Sequence, residues 1–108
     1  MLFRSWIDRD GAYHQGTVWG WWLGIYAEAH DQVYGDRNTA LGILAPMLDQ
    51  LRCQCVGTLG EIFEGDAPFN PRGAFAQAWT VAEWLRAWDL ISRKDPISGG
   101  NRVFGRLT

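Results

Sequence analysis

The chain has 108 residues, seven of them tryptophan, and its formal net charge is −2. This length predicts a single domain, residues 1–108, with a core too small for a complete large hydrolase barrel. The ten Lys and Arg residues form no basic stripe, and no segment is apolar enough for a signal peptide or a membrane span. We therefore expect a cytoplasmic protein with neither a nucleic acid nor a membrane as partner.

The first part of the chain is predicted to be a polar loop followed by a long helix. Residues 10–16, DGAYHQG, contain turn-forming residues, and Thr17 is suited to cap a helix that runs to about Tyr34. Apolar residues at helical spacing predict a broad buried stripe on this helix. The stripe consists of Val18, Trp22, Ile25, Ala29 and Val33.

A second helix is predicted to follow at once. Gly35 is suited to end the first helix, and Asp36 is suited to cap the next one. A narrow stripe of leucines then continues to about Leu51. Pro46 lies inside this helix and predicts a kink, because proline lacks the N–H group and clashes with the carbonyl four residues earlier.

The two cysteines, Cys53 and Cys55, form a C-x-C pair in an apolar stretch. A zinc site needs further ligands, and His14 and His30 do not stand at a zinc-binding spacing. A disulfide between the two cysteines would close a strained short ring. We therefore predict two reduced, partly buried thiols, and neither a metal nor a cofactor.

A long loop rich in glycine and proline, residues 56–73, precedes the last helix. Loops of this length are uncommon in compact domains unless they are functional or disordered. The apolar side chains of Ile62, Phe63 and Phe69 argue against disorder. A third helix is predicted over about residues 74–93. The predicted fold class is therefore all-α, with three main helices that are apolar on more than one face.

Two acidic loops among aromatic residues are candidate sites. Glycoside hydrolysis needs two carboxyl groups, one to protonate the leaving oxygen and one to activate water or attack the sugar. Tryptophan side chains stack on sugar rings, although they also fill cores, and acids in a glycine-rich loop are often simply solvated. The candidates are Asp10, Tyr13, His14 and Gln15 in the first loop, and Glu61, Glu64 and Asp66 in the second.

Three short motifs, in a fixed order, carry a resemblance to a known family. Residues 13–19, YHQGTVW, resemble Y-H-Q/N-G-T-x-W. Residues 61–66, EIFEGD, resemble the loop S-E-I-F-D-G-D, although Gly60 stands where the serine is common. Residues 71–83, PRGAFAQAWTVAE, are similar to P-R-G-C-x-A-Q-A-W-S-V-A-E. All three motifs are those of the glycogen debranching enzyme (amylo-α-1,6-glucosidase) family, which the chain resembles over about residues 8–92.

The resemblance implies a C-terminal segment of an (α/α)6 toroid-type barrel that hydrolyses α-1,6-glucosidic bonds of glycogen or limit dextrin with inversion. It implies that Glu61 is the general base, which activates water. The family's general acid, an aspartate from an earlier loop of the barrel, has no counterpart in this sequence, so the chain is expected to be incomplete on its own. The implied substrate-binding residues are Tyr13, His14, Gln15, Trp19, Glu64, Asp66, Gln77 and Trp79.

Several of these residues also have a structural interpretation. Glu64 and Asp66 can order their loop, His14 can be a satisfied structural histidine, and Trp79 can belong to the core. For the whole chain, the alternative to a hydrolase segment is a non-catalytic remnant that binds glucan or self-associates. The wide apolar helix faces predict either a homo-oligomer or cover by a missing N-terminal part of the barrel.

Overall fold

The computed structural model describes residues 6–53 and 56–93. The elements are α1 (Trp6–Gly11), β1 (Val18–Trp19), α2 (Trp22–Tyr34), α3 (Arg37–Leu44), α4 (Met47–Gln50), β2 (Ile62–Phe63), β3 (Pro71–Arg72) and α5 (Ala78–Ser92). Helices predominate, but the three strands form one antiparallel sheet. The all-α prediction is therefore wrong in omitting this sheet, and the assignment to a toroid-type barrel stays a prediction.

The three longest helices, α2, α3 and α5, pack around one hydrophobic core. At the crossing of α2 and α5, a Cβ atom on Gly24 would lie 2.5 Å from the carbonyl oxygen of Glu83. The buried Trp84 donates its indole N–H to the carbonyl oxygen of Leu44 at 2.9 Å. The buried core residues are Ala27, Ala40, Leu44, Met47, Leu59, Phe63, Trp84, Ala87 and Ile91. Small residues thus allow the helices to approach closely, and one indole links α5 to the end of α3.

The predicted boundaries between the first two long helices are confirmed. Gly35 follows α2 and donates its N–H to the carbonyl oxygen of Asp31 at 2.9 Å. Asp36 caps α3 by accepting hydrogen bonds from the N–H of Thr39 at 3.0 Å and from its hydroxyl at 2.6 Å. Pro46 separates α3 from α4, as expected for a residue that cannot continue the hydrogen-bond ladder.

The predicted start of the first long helix, at Thr17, is wrong. Thr17 donates its hydroxyl to the carbonyl oxygen of Ala12 at 2.8 Å, the next two residues form β1, and α2 begins only at Trp22. The predicted buried stripe is wrong as well, since Trp22 and Val33 are 55 and 72% exposed. The residues of α2 that are buried are Gly24, Ala27 and Asp31. The helix therefore packs mainly through Gly24 and Ala27, together with the partly buried Leu23, and leaves several bulky apolar residues exposed, namely Trp22, Ile25, Tyr26 and Val33.

Two further predictions need correction. The last helix begins at Ala78, four residues later than expected, because Gln77 is still extended and the chain before it follows β3. Cys53 is exposed, and its thiol donates to the carbonyl oxygen of Asp49 at 3.2 Å. The prediction of partial burial is thus wrong for Cys53, whereas Cys55 lies outside the described residues.

The small sheet joins the three motif regions, because each of them contributes one strand. In the order β1-β2-β3, Trp19 lies opposite Ile62, and Ile62 lies opposite Arg72. Ile62 at the centre is fully buried. The segment predicted to be a loop, residues 56–73, therefore supplies two of the three strands. As a result, the residue just before β2 lies between the end of β1 and the chain that follows β3.

Candidate active site

Glu61 occupies this position before β2, and its main chain is held from both sides. Its carbonyl oxygen accepts a hydrogen bond from the N–H of Gly20 at 3.1 Å. Its own N–H donates to the carbonyl oxygen of Ala74 at 3.0 Å. These two contacts continue the sheet beyond its assigned strands, so that the backbone of Glu61 is fixed by the residue that follows the first motif and by a residue of the third motif.

The carboxylate of Glu61 is also held by a main-chain donor and a side-chain donor. Oε2 accepts from the N–H of Ala74 at 2.9 Å, and Oε1 accepts from the side-chain amide of Gln77 at 3.2 Å. Tyr13 lines the same cleft as this carboxylate. Gly73 has a φ angle of 70°, and a Cβ atom there would lie 2.5 Å from Oε2. Glycine at position 73 therefore serves both the turn and the placement of Glu61.

An open cleft of about 520 Å³ lies in front of this carboxylate. Its walls come from the end of α1, the loop that follows it, Glu61 and the turn after β3. The side chains of Arg9 and Asp10 pair in this wall, with the Arg9 Nε and NH2 groups 2.9 and 2.7 Å from Asp10 Oδ1. The lining residues are Arg9, Asp10, Tyr13, His14, Glu61, Gly73 and Ala74. The cleft thus presents two carboxyl groups, one guanidinium and two aromatic rings.

The ionisation of Tyr13 reflects first its burial and then the nearby Glu61. Burial, followed by the hydrogen bond to Glu61 and the negative charge of that residue, raises the pKa of the Tyr13 phenol from 10.0 to about 12. The phenol is therefore protonated at physiological pH and available as a donor.

The aromatic side chains of the first motif form one connected group. The rings of His14 and Trp19 stack, with centroids 5.8 Å apart and an interplanar angle of 13°. Tyr13 meets Trp19 edge-on at 4.9 Å, and the Trp19 indole N–H donates to the carbonyl oxygen of Tyr13 at 3.1 Å. Trp19 thus supports the two aromatic residues that line the cleft and is not itself among the lining residues.

A second aromatic group, the indole column, consists of Trp22, Trp21 and Trp79. Trp21 lies in the middle, with ring centroids 4.2 Å from each neighbour and interplanar angles of 24 and 11°. Trp22 and Trp79 are 55 and 51% exposed. Trp79 therefore belongs to neither the core nor the lining of the cleft. It is part of an exposed stack of indole rings.

Glu64 has a different environment from Glu61. It is 2% exposed, and it accepts hydrogen bonds from the side-chain amide of Asn70 at 2.9 Å and from Arg72 at 2.7 Å. Its own N–H donates to the carbonyl oxygen of Asn70 at 3.0 Å, which closes the loop between β2 and β3. The structure thus places Glu64 inside this loop, in the arrangement expected of a loop-ordering residue.

The predicted site residues thus fall into three groups. Tyr13, His14 and Glu61 line the cleft, and Gln77 contacts Glu61. Trp19 and Trp79 belong to the two aromatic groups described above. Gln15 and Asp66 are exposed residues outside the lining of the cleft, as is the buried Glu64.

Sequence reasoning missed several residues of the cleft. Arg9 was not singled out, whereas Asp10 was a candidate of the first acidic loop and does line the cleft. Gly73 and Ala74 contribute a turn and a main-chain N–H. Because main-chain donors are common to nearly every residue type, no side-chain pattern could reveal the contribution of Ala74.

Within residues 6–53 and 56–93, no group of three or more His, Cys, Asp or Glu side chains is arranged to hold a metal ion. No helix in the same described part of the chain has both the length and the apolar character that crossing a membrane requires.

A glutamate held by donors at an open cleft, with aromatic rings nearby, is an arrangement typical of glycoside hydrolases. The sequence model of amylo-alpha-1,6-glucosidase matches residues 5–86, which is more than half of the chain. The chain therefore belongs to the amylo-alpha-1,6-glucosidase family and is a domain related to glycogen debranching enzymes. No curated protein and no solved structure matches it.

Proposed function

We propose that the chain supplies the water-activating side of a glycogen-debranching α-1,6-glucosidase site, with Glu61 as the general base. The observation that carries this proposal is the geometry of Glu61. The N–H of Ala74 fixes its carboxylate at the edge of the open cleft, beside Tyr13. A general base needs such a fixed position, because it must lie within hydrogen-bond reach of the water that it deprotonates.

The other residues of the cleft are suited to bind an α-glucan. His14 offers ring N–H or N groups, and Asp10 and Arg9 offer a charged pair that sugar hydroxyls can bridge. Flat aromatic rings such as those of Tyr13 and His14 suit the apolar face of a pyranose. Gln77, which contacts Glu61, is proposed to help define the same subsite.

Inverting hydrolysis also requires a general acid, with the two carboxyl groups about 6.5–9.5 Å apart. The family's acid has no counterpart in this sequence, so we propose that another segment of the barrel supplies it. Loss of general acid assistance typically lowers a rate by about 10²–10⁴-fold. We therefore expect the 108-residue chain to release little glucose from a branched limit dextrin. Rapid release that Glu61→Gln abolishes would show instead that the chain assembles a complete site.

The binding part of the proposal can be tested directly with 1-deoxynojirimycin, an amine with the shape of glucose. Its protonated nitrogen should pair with the Glu61 carboxylate, and charge-assisted hydrogen bonds contribute about 1.5–3 kcal/mol. In a titration followed by NMR, Glu61→Gln should weaken binding about tenfold or more.

Glu83→Gln is the matched control for this titration. It neutralises a glutamate of α5 that pairs with Arg86 and is absent from the lining of the cleft. We expect its affinity for the amine to equal that of the parent chain. Equal affinities for the parent chain and for both variants would refute the assignment of Glu61.

A second candidate function, self-association without turnover, is favoured by the exposed apolar surface. The indole column and the outer face of α2 expose large side chains, among which Val33 and Tyr34 are each 72% exposed. Soluble monomers rarely expose contiguous apolar patches of more than a few hundred Å². Light scattering at micromolar concentration tests this candidate: a symmetric dimer is expected, and a monodisperse monomer would exclude it.

A further inference from the structure

Gln77 directly precedes α5, yet its side chain plays no part in capping that helix. The side chain makes no capping hydrogen bond, and glutamine is not among the residue types preferred at this position, which are Asn, Asp, Ser, Thr and Gly. Its amide N–H is donated instead to Glu61 Oε1 at 3.2 Å. The side chain of this partly buried residue thus serves the glutamate of the cleft and not its own helix.

The backbone around Gln77 is fixed against the segment that carries Glu61. Gln77 is extended, with φ −124° and ψ 111°, and it donates its N–H to the carbonyl oxygen of the buried Leu59 at 2.9 Å. Three residues earlier, the carbonyl oxygen of Ala74 accepts the N–H of Glu61 at 3.0 Å. Residues 74–77 therefore lie alongside residues 59–61, and the Gln77 side chain starts from a backbone position that is itself held.

The two oxygens of the Glu61 carboxylate accept hydrogen bonds from different donors of this segment. The main-chain N–H of Ala74 holds Oε2, and the amide of Gln77 holds Oε1. The terminal torsion of a glutamate side chain is broad, so a carboxylate held at one oxygen alone can still turn about its last bond. Because the two donors act on opposite oxygens, together they fix the plane of the carboxylate and the directions of its unused lone pairs.

We propose that Gln77 is a positioning residue, whose amide fixes the plane of the Glu61 carboxylate and so directs its unused lone pairs towards the cleft. This inference rests on the proposed function of Glu61, and it differs from the sugar-binding role that the family resemblance implies for Gln77. Glu61 lines the cleft, whereas Gln77 is absent from the lining. Gln77 therefore acts on a ligand through Glu61.

A double-mutant cycle separates this role from direct contact with the ligand. Gln77→Met keeps the length of the side chain and removes its donor, and we expect it to weaken 1-deoxynojirimycin binding about fivefold in the parent chain. In the Glu61→Gln background, the same substitution should change affinity by less than about twofold, because the carboxylate that Gln77 positions is gone. Gln32→Met is the matched control. It removes from α2 an amide that donates to Glu28 Oε1 at 3.0 Å, outside the lining of the cleft, and should leave the affinity unchanged.

An equal loss from Gln77→Met in both backgrounds would overturn the proposal, because Gln77 would then contact the ligand independently of Glu61. An unchanged affinity for Gln77→Met, where Glu61→Gln itself weakens binding, would overturn it as well. If Glu61→Gln does not weaken binding, the proposed function is refuted instead, and the positioning of Glu61 by Gln77 is decided by a measurement without ligand.

That measurement is the thermal midpoint of a chain in which the two side chains are exchanged. Gln77→Glu alone places a second carboxylate against Glu61, so the midpoint at pH 7 should fall by about 4–8 °C and recover towards pH 4, where one of the two carboxyl groups takes a proton. Adding Glu61→Gln restores one donor and one acceptor, and the midpoint at pH 7 should return to within about 2 °C of the parent value. A doubly exchanged chain that is no more stable than Gln77→Glu would show that the two side chains do not meet, and it would overturn the proposal independently of any ligand.

Discussion

The two ends of β2 carry glutamates that occupy opposite kinds of environment. Glu64 is 2% exposed, and inside a loop it pairs with Arg72 and accepts a hydrogen bond from Asn70. Glu61, three residues earlier, is only partly buried and lines the open cleft. Because side chains alternate along a strand, an offset of three residues favours opposite faces of the sheet. One carboxylate is thus used to order the loop, whereas the other stays accessible to a ligand.

The largest effect on stability should come from breaking the ion pair between Glu64 and Arg72. Arg72→Ala leaves the Glu64 carboxylate buried with Asn70 as its remaining side-chain donor. We expect the free energy of unfolding, measured in urea, to fall by about 2–3 kcal/mol, less than for a fully buried pair because Arg72 is partly exposed. Arg93→Ala removes an arginine from an exposed pair with Asp89 and should cost less than about 0.5 kcal/mol. Equal losses in the two variants would contradict the contrast between the two environments.

The next effect should appear at the turn that holds Glu61. Gly73→Ala and Gly16→Ala both place a side chain at a positive φ angle, and each should cost on the order of 1–2 kcal/mol. A Cβ atom at position 73 would also displace the Glu61 carboxylate, whereas position 16 has open space around it. Only Gly73→Ala should therefore weaken 1-deoxynojirimycin binding, as a parallel NMR titration of the two variants can show. If both variants bind as the parent does, the turn has no part in placing Glu61.

A smaller effect on stability is expected at alkaline pH, and it concerns Tyr13, which lines the cleft together with Glu61. Because the pKa of Tyr13 is raised from 10.0 to about 12 in the folded chain, its contribution to stability is complete below pH 10 and is lost as the pH rises through 12. Unfolding curves from pH 9 to pH 12 should therefore decline less for Tyr13→Phe than for the parent. The same decline in both proteins would mean that Tyr13 has no special environment.

The smallest effect should belong to Asp36, an exposed carboxylate that serves as a reference for the two glutamates. The hydrogen bonds from Thr39 hold the pKa of Asp36 below its ordinary value of 3.8. Its contribution is therefore present above pH 3.8 and is lost as the pH falls through the lowered value. Asp36→Asn keeps a capping side chain but lacks this titration, so thermal melts of the two proteins should differ slightly at neutral pH and converge in acid. A difference that persists unchanged at pH 2 would contradict this account.

Sequence patterns located the helix boundaries where a single residue dictates the backbone. Gly35 and Asp36 act through local geometry, and their predicted effects are confirmed. Pro46, which was predicted to kink a single helix, lies where the chain divides into α3 and α4. Sequence patterns gave wrong predictions where tertiary packing decides which residues are buried. The face of α2 that is buried carries Gly24 and Ala27, because close approach to α5 favours small residues over the bulky stripe.

The sheet and the site were predictable to different degrees. Strands of two residues are too short to show an alternating pattern, so β1, β2 and β3 were predicted as parts of a helix and a loop. The motifs singled out Glu61 and Tyr13, and the structure brings these two residues together in one cleft. The roles of Ala74 and Gly73 depend on main-chain groups and on a turn, which become visible only when the chain is folded.

A crystal structure of the chain with 1-deoxynojirimycin tests the central claim, that Glu61 is the functional carboxylate of the cleft, most directly. We predict that the ligand nitrogen lies about 2.7–3.2 Å from a carboxylate oxygen of Glu61, with the sugar ring between Glu61 and Asp10. A ligand stacked instead on the exposed faces of Trp22 or Trp79, with nothing bound beside Glu61, would contradict the account.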